Sequence, residues 1–166
     1  MFDDEEDDED YFESRKNVRD LPIFQKGEEI QYVVRLLAEL MPEDNEYLQS
    51  MKGDKLYNAG LLTVKIAGAE AVNLYDLKME AATFIRKAAN DLKVMNHSLE
   101  MFGFENVEYF QIVRNLIEEY RLLFIDWVAG FDKWDYIIDR WGLFNPPGVS
   151  PFDKDVDDLI PFSGFD

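Results

Sequence analysis

Apolar residues recur every three or four positions along most of the chain, and four such stripes follow one another. This spacing places the side chains on one face of an α-helix, which completes a turn every ~3.6 residues. The first stripe lies between Pro22, which suits a first helical turn, and Pro42, which ends the pattern. The sequence therefore predicts a first helix whose apolar face contains Ile23, Ile30, Val33, Leu37 and Leu40.

The second stripe follows the turn sequence PEDNE, in which Asp44 or Asn45 is placed to cap a helix. Gly53 and Asp54 lower the helix propensity within this stripe, so we expect an interruption there. The small residues of IAGAEAVNLYD then predict either a close approach of two helices or a break. The apolar face of this second helix contains Leu48, Met51, Ala59, Leu62, Ile66 and Ala69.

The third and fourth stripes are longer. The third precedes Gly103, a residue type that favours the left-handed conformation just after a helix. The fourth begins after the capping candidate Asn106 and continues to Trp141, with Gly130 and Asp132 as points where it could break. The third consists of Leu77, Ala81, Phe84, Ala88, Leu92, Met95, Leu99 and Phe102. The fourth consists of Phe110, Val113, Ile117, Tyr120, Phe124, Trp127, Phe131, Trp134, Ile138 and Trp141.

These patterns predict an all-α fold, because strand signals are nearly absent. Four helices joined by short loops must alternate in direction to bury their stripes together, so we expect an up-down-up-down four-helix bundle. The predicted organisation is a disordered acidic arm at 1–19, the bundle at 20–141, and an extended Trp/Pro-rich tail at 142–166.

The tail is predicted to dock on its own bundle. Trp141 continues the rhythm of the fourth stripe, which would turn it toward the core. Pro146 and Pro147 then favour an extended course that lays apolar side chains along a groove, namely Phe144, Val149 and Phe152. The alternative is a short linear motif for a partner, with Trp141, Phe144, Pro146 and Pro147 as candidate binding residues.

Charge narrows the choice of partners. The net charge is −18, and residues 1–13 supply half of it with nine acidic and no basic side chains. Nucleic acid is therefore disfavoured as a ligand, since phosphate binding requires a basic surface. The acidic start is unlike a secretory signal, and no apolar run approaches the length of a membrane span, so a cytoplasmic location without membrane contact is expected.

The sequence contains no recognisable catalytic or cofactor-binding motif. The absence of cysteine excludes disulfides, thiolate catalysis and Cys-ligated metals. His97 is the only histidine, whereas a di-iron bundle needs a Glu-x-x-His pair on each of two helices. Glu118 and Glu119 are interpreted as part of a solvated face. We expect no enzyme and no cofactor, with an enzyme that uses His97 or these glutamates as the remaining alternative.

Basic residues form a candidate binding patch across the second and third helices. Arg86 and Lys93 lie seven positions apart and share a helix face. The complete patch consists of Lys55, Lys65, Arg86, Lys87 and Lys93. It is either ordinary surface charge or a site for RNA or an acidic partner. The aromatic residues fall mostly on the buried stripes, so they do not provide a stacking platform for bases.

Three segments carry a resemblance to a known family: LPIFQKGEEI, IAGAEA and KMEAATFIRKAANDLKVMNHSLEMFGF. They resemble the four-helix-bundle proteins encoded in intervening sequences of bacterial large-subunit ribosomal RNA genes, and the related accessory variability determinant proteins of diversity-generating retroelements. The matching residues are Leu21, Ile23 and Gln25 and, with two residues inserted, Ile66, Ala67 and Glu70. The resemblance spans roughly 20–130 and implies a self-associating bundle, pentameric in some members, that contacts a ribonucleoprotein through basic faces. The chain also resembles uncharacterised cytoplasmic proteins of Bacteroidetes.

The sequence thus predicts a non-enzymatic scaffold or interaction protein, with an RNA- or ribonucleoprotein-associated accessory protein as the alternative. Its expected partners are further copies of itself and another protein. An oligomer larger than a dimer is expected because several aromatic residues lie off the stripes or at their edges, and large exposed apolar patches usually mark interfaces. These residues are Tyr32, Tyr47, Tyr57, Phe104 and Trp127.

Overall fold

The structure, a computed structural model, describes residues 18–94 and 96–155, with the side chains of residues 96 and 97 outside the described set. Within these ranges every regular element is a helix and there is no strand, which confirms the all-α prediction. The helices are α1 (Pro22–Glu39), α2 (Glu46–Glu70), α3 (Tyr75–Val94), the short α4 (Asn96–Met101) and α5 (Phe110–Ala129), with a 3-10 turn at Val107–Tyr109. None of these helices combines the length and apolar character needed to cross a membrane.

Local sequence signals set several of the helix ends. Pro22 occupies the first turn of α1 as predicted. The side chain of Asn45 accepts a hydrogen bond from the backbone N–H of Leu48 at 3.2 Å and so caps α2. Gly103 has the predicted left-handed backbone, with a φ of 90°. Asn106, however, makes no side-chain cap, so that part of the prediction is wrong.

Helix α2 runs without the interruption that was expected near Gly53. A glycine in a helix interior costs about 1 kcal/mol relative to alanine. Buried side chains on both sides, among them Met51 and Ala59, keep this face of α2 packed against its neighbours. Burial therefore outweighs the local propensity.

The long helices form a ring around one core. Helix α1 packs against α2 and α5, and α3 packs against the same two helices from the other side. The predicted stripes of α1, α2 and α5 supply most of the core. Its fully buried members include Ile30, Val34, Leu48, Leu62, Ile66, Ile85, Leu92, Phe110 and Val113.

The buried face of α3 differs from the prediction at its start. Ala82 and Ile85 are buried, whereas the expected Leu77 and Phe84 are exposed. Because α3 contacts both α2 and α5, its inward line runs between those two helices, one position later than the predicted stripe. The exposed Phe84 ring is covered instead by the ammonium of Lys65, 4.8 Å from the ring centroid.

Helix α5 ends at Ala129 and does not continue to Trp141. The break falls at Gly130, one of the two points where the sequence indicated that the stripe could break. The side chain of Asp132 accepts a hydrogen bond from the N–H of Trp134 at 2.9 Å, a local bond that competes with the helical one. Phe131 turns inward and meets the Trp127 ring edge-on, with centroids 4.7 Å apart. The chain then leaves the helical direction and returns toward α3.

Candidate interaction surface

Residues 131–155, called here the C-terminal loop, fold back onto the start of α3. The N–H of Tyr75 donates to the carbonyl of Asp135 at 2.8 Å, which satisfies a donor that a helix start leaves free. The N–H of Ile137 donates to the Asp76 carboxylate at 3.1 Å. Ile138 is buried nearby in the loop. The first part of the loop is therefore attached to its own protein, as the docking prediction required.

Asp139 organises the middle of the loop. Its carboxylate accepts the backbone N–H of Trp141 at 2.9 Å and those of Leu143 and Phe144 at 2.8 Å each. These donors, Phe144 foremost, hold the pKa of Asp139 below its ordinary value. Asn145 closes the turn, because its side chain exchanges two hydrogen bonds with the backbone of Asp139, at 2.7 and 2.9 Å. One carboxylate thus fixes the backbone from 139 to 145.

Arg140 fixes the far part of the loop. Its guanidinium donates to the carbonyls of Pro151 at 3.0 Å and Asp153 at 2.6 Å, and it pairs with the Asp155 carboxylate at 3.0 Å. Gly142 has a φ of 75°, and a Cβ at this position would lie 3.3 Å from the Pro151 ring. Pro146 is buried. Charged hydrogen bonds therefore hold the loop together where it has few apolar contacts.

This ordered backbone displays apolar side chains to water. The exposed fractions are 92% for Trp134, 91% for Trp141 and 90% for Phe152. Leu143 and Ile137 of the same loop are exposed as well. Exposed apolar surface often marks an interaction site, and tryptophan is enriched where partners bind. The loop is the strongest candidate interaction surface among the described residues.

Two predictions for the tail are wrong, since neither Trp141 nor Phe152 lies against the bundle. The rhythm that placed Trp141 inward requires a helix, and α5 has already ended at Ala129. Of the other candidates, Phe144 is half-buried, Pro146 is buried and Pro147 is exposed. The sequence pattern did not predict Trp134 as a surface residue. It also did not predict that the adjacent residues Asp139 and Arg140, within IIDRWGLF, each hold a part of the loop.

Replacing Asp139 by alanine is expected to loosen the loop and leave the helices intact. Three backbone donors lose their acceptor, so amide exchange at 141, 143 and 144 should quicken by at least about tenfold. Asp135→Ala is the control, because Asp135 contributes only its backbone carbonyl to the bond with Tyr75. Exchange that stays unchanged in the Asp139 variant would show that the carboxylate does not organise the loop. Hydrogen exchange followed by NMR measures both variants.

The predicted basic patch does not assemble, chiefly because Lys55 is buried, with 0% of its surface exposed. Its ammonium donates to the carbonyl of Leu92 at 3.2 Å and lies 4.4 Å from the centre of the Phe110 ring. Burial lowers the pKa of Lys55 to about 8. The prediction of Lys55 as a surface binding residue is wrong, since α2 presents this position to the core between α3 and α5.

The other four cations of the predicted patch lie in separate surroundings. Lys65 covers the Phe84 ring, and Lys87 pairs with Asp91 at 2.9 Å on the same helix. Arg86 and Lys93 instead line the groove between α3 and α5. The five residues therefore do not form one continuous basic surface.

Glu118 and Glu119 engage different neighbours. Glu118 pairs with Lys93 and with Arg121, whereas Glu119 pairs with Lys26 of α1 at 2.8 Å. The side chain of His97 lies outside the described residues. Across the described part of the chain, no three histidine, aspartate or glutamate side chains are grouped so that they could hold a metal ion.

Comparison of the chain with protein-family models, with curated proteins and with solved structures finds no match. The resemblance to the proteins of ribosomal RNA intervening sequences stays a prediction. The geometry of the C-terminal loop is therefore the main guide to function.

Proposed function

We propose that the protein is a non-enzymatic interaction protein, in which an up-down-up-down four-helix bundle carries the C-terminal loop as a protein-binding surface. The observation that supports this most directly is the loop itself. Its backbone is fixed by Asp139 and Arg140, while Trp134 and Trp141 stay almost wholly exposed. A buried aromatic side chain contributes 150–250 Å² of contact, to order of magnitude, so two tryptophans can dominate a binding energy.

Contacts between helix ends support the alternating direction of the bundle. Lys55 in the first half of α2 meets Leu92 near the end of α3. Glu70 at the end of α2 accepts a hydrogen bond from the Trp127 indole near the end of α5, at 2.7 Å. The loop that follows α5 meets Tyr75 at the start of α3. The first contact fits antiparallel α2 and α3, and the third fits antiparallel α3 and α5. The second joins the ends of α2 and α5, which run in the same direction when the four helices alternate.

Self-association is part of this proposal. Tyr32, Tyr47 and Tyr57 are exposed, in line with additional contact surface for further copies of the chain. Phe104 is buried and Trp127 is half-buried, so these two residues do not add to the exposed surface available for self-association. The RNA-associated alternative loses its main geometric support, because its basic residues are divided between the core and separate faces.

The proposal is tested by a photo-reactive phenylalanine analogue placed at 134 or at 141 in cells that make the protein. We expect discrete, nuclease-resistant protein adducts at both positions. The same analogue at Tyr109, an exposed aromatic residue of the 3-10 turn, is the matched control. An adduct of twice the 19.5 kDa chain mass would identify a second copy as the partner. Equal labelling at all three positions, or adducts that nuclease removes, would contradict a protein-binding loop.

A further inference from the structure

The groove between α3 and α5 is a second surface, independent of the C-terminal loop. These two helices have the least extensive contact among the neighbouring pairs of long helices, and a cavity of about 310 Å³ opens between them. Its lining is mainly apolar. The apolar residues along it are Ile85, Ala89, Ile117, Phe124 and Ile125.

Cations border this apolar groove. Arg86 and Lys93 lie on the α3 side, and Arg121 lies on the α5 side. Glu118 is shared by Lys93 and Arg121, and these two cations, Lys93 foremost, lower the pKa of its carboxyl group. Arg86 has no ion pair within 18–94 and 96–155. The groove therefore carries local positive charge in a chain whose net charge is −18.

We infer that the groove binds an acidic peptide with large apolar side chains, and that its occupant is residues 156–166 of the same chain, VDDLIPFSGFD. This segment lies outside the described residues and contains three acidic and no basic side chains. It also has five large apolar ones, namely Val156, Leu159, Ile160, Phe162 and Phe165. The composition matches a groove with an apolar floor and a basic border.

The other acidic segment of the chain fits this groove less well. Residues 1–13 carry nine carboxylates, and their aromatic side chains are Phe2, Tyr11 and Phe12. Transferring so many charges from water to an apolar floor is unfavourable, because three cations cannot pair with them all. In 156–166, Asp157 and Asp158 adjoin the apolar LIPF sequence, so charge and apolar surface alternate as the groove requires.

The attachment of the loop brings this segment within reach. Asp155 forms an ion pair with Arg140. Arg140 lies three positions after Ile137, whose N–H donates a hydrogen bond to Asp76 at the start of α3. Arg86 lies ten residues along α3 from Asp76, which is about 15 Å at the rise of a helix. Eleven extended residues span about 36 Å. The length of the segment exceeds this distance along α3, and a tether of this kind gives an effective concentration on the order of millimolar.

The test uses the absence of cysteine, which makes any introduced thiol a unique labelling site in the full chain. Ser163→Cys carries a nitroxide, and amide resonances are compared before and after its reduction. We expect amides of 85–93 and 117–125 to lose most of their intensity near the label. Arg86→Glu should restore much of that intensity. Lys87→Glu, the adjacent exposed cation that pairs with Asp91, is the matched control and should restore none.

Three results would overturn the inference. The first is the absence of an effect: the label at 163 leaves the amide intensities along the groove unchanged, or Arg86→Glu and Lys87→Glu restore those intensities equally. The second is stronger loss of groove signals from a label at Ser14→Cys, which would assign the groove to the acidic arm. The third is loss of signal only when isotope-labelled and spin-labelled chains are mixed, which would assign it to a second copy.

Discussion

Replacing Lys55 by methionine is expected to raise the free energy of unfolding at pH 7 by about 3 kcal/mol. Burial lowers the pKa of Lys55 from 10.5 to about 8, and each pKa unit corresponds to about 1.4 kcal/mol. The folded protein therefore holds a cation that water would stabilise better. Methionine has a similar length, carries no charge and fits an apolar site. Urea unfolding followed by far-UV circular dichroism measures the difference.

The same variant should remove part of the pH dependence of stability. Below pH 8, Lys55 is protonated in both states, and its burial penalty is fully present. Between pH 8 and 10.5 the folded state loses the proton first, so stability rises with pH. Tyr120, whose pKa burial raises, acts in the opposite direction only above about pH 10. A comparison at pH 7 and pH 9.5 therefore isolates Lys55.

Lys52→Met is the matched control, because Lys52 lies on the same helix and is only partly buried. Its expected change stays within about 0.5 kcal/mol. A Lys55→Met variant that is less stable than the natural chain would contradict the prediction. That result would mean that the hydrogen bond to the carbonyl of Leu92, near the end of α3, outweighs the cost of burying the charge.

Replacing Gly27 by valine is expected to destabilise the protein by about 3 kcal/mol. A Cβ at this position would lie 3.0 Å from the carbonyl oxygen of Leu62 and 3.0 Å from a methyl group of Thr63. Backbone atoms cannot give way easily, so α1 and α2 would have to separate. The carbonyl of Leu62 also accepts the buried hydroxyl of Tyr120 at 2.8 Å, and that bond would be disturbed. Chemical unfolding provides the measurement.

Replacing Gly53 by alanine is expected to stabilise the protein, the opposite of the effect at Gly27. Gly53 lies in the interior of α2, and a Cβ there meets nothing within 4 Å. Alanine should therefore raise the free energy of unfolding by about 0.5–1 kcal/mol through helix propensity and a less flexible unfolded chain. If both substitutions changed stability in the same direction, close approach at Gly27 would not be the reason for its effect.

The helical part of the fold could be predicted because periodicity and capping act locally. Residues such as Ile30 and Leu62 repeat at helical spacing and are fully buried. The Asn45 side chain caps the start of α2, and Gly103 adopts the left-handed backbone that glycine permits just after a helix. These effects depend on neighbours within a few positions, so the sequence displays them directly.

The candidate site could be predicted only in part, because its features depend on distant contacts. Nothing near Lys55 in the sequence shows that α2 turns this position toward Leu92 and Phe110. Trp141 was named as a candidate binding residue, but its orientation depends on where α5 ends. Gly130 and Asp132 marked a possible break in the sequence, but the spacing of apolar residues continues past them and did not show that the helix ends there. The turn that follows is held by Asp139, and its hydrogen bonds to backbone N–H groups are not visible in that spacing.

The construction of the C-terminal loop separates the residues that keep its shape from those that we propose bind a partner. Asp139 and Arg140 hold the backbone of the loop, whereas almost none of the surface of Trp134 and Trp141 is buried within the protein. Substitutions at the two ring positions therefore leave the folded state nearly as stable as before. A lineage carrying this architecture is free to vary its recognition chemistry there, and selection on partner choice need not conflict with selection on folding.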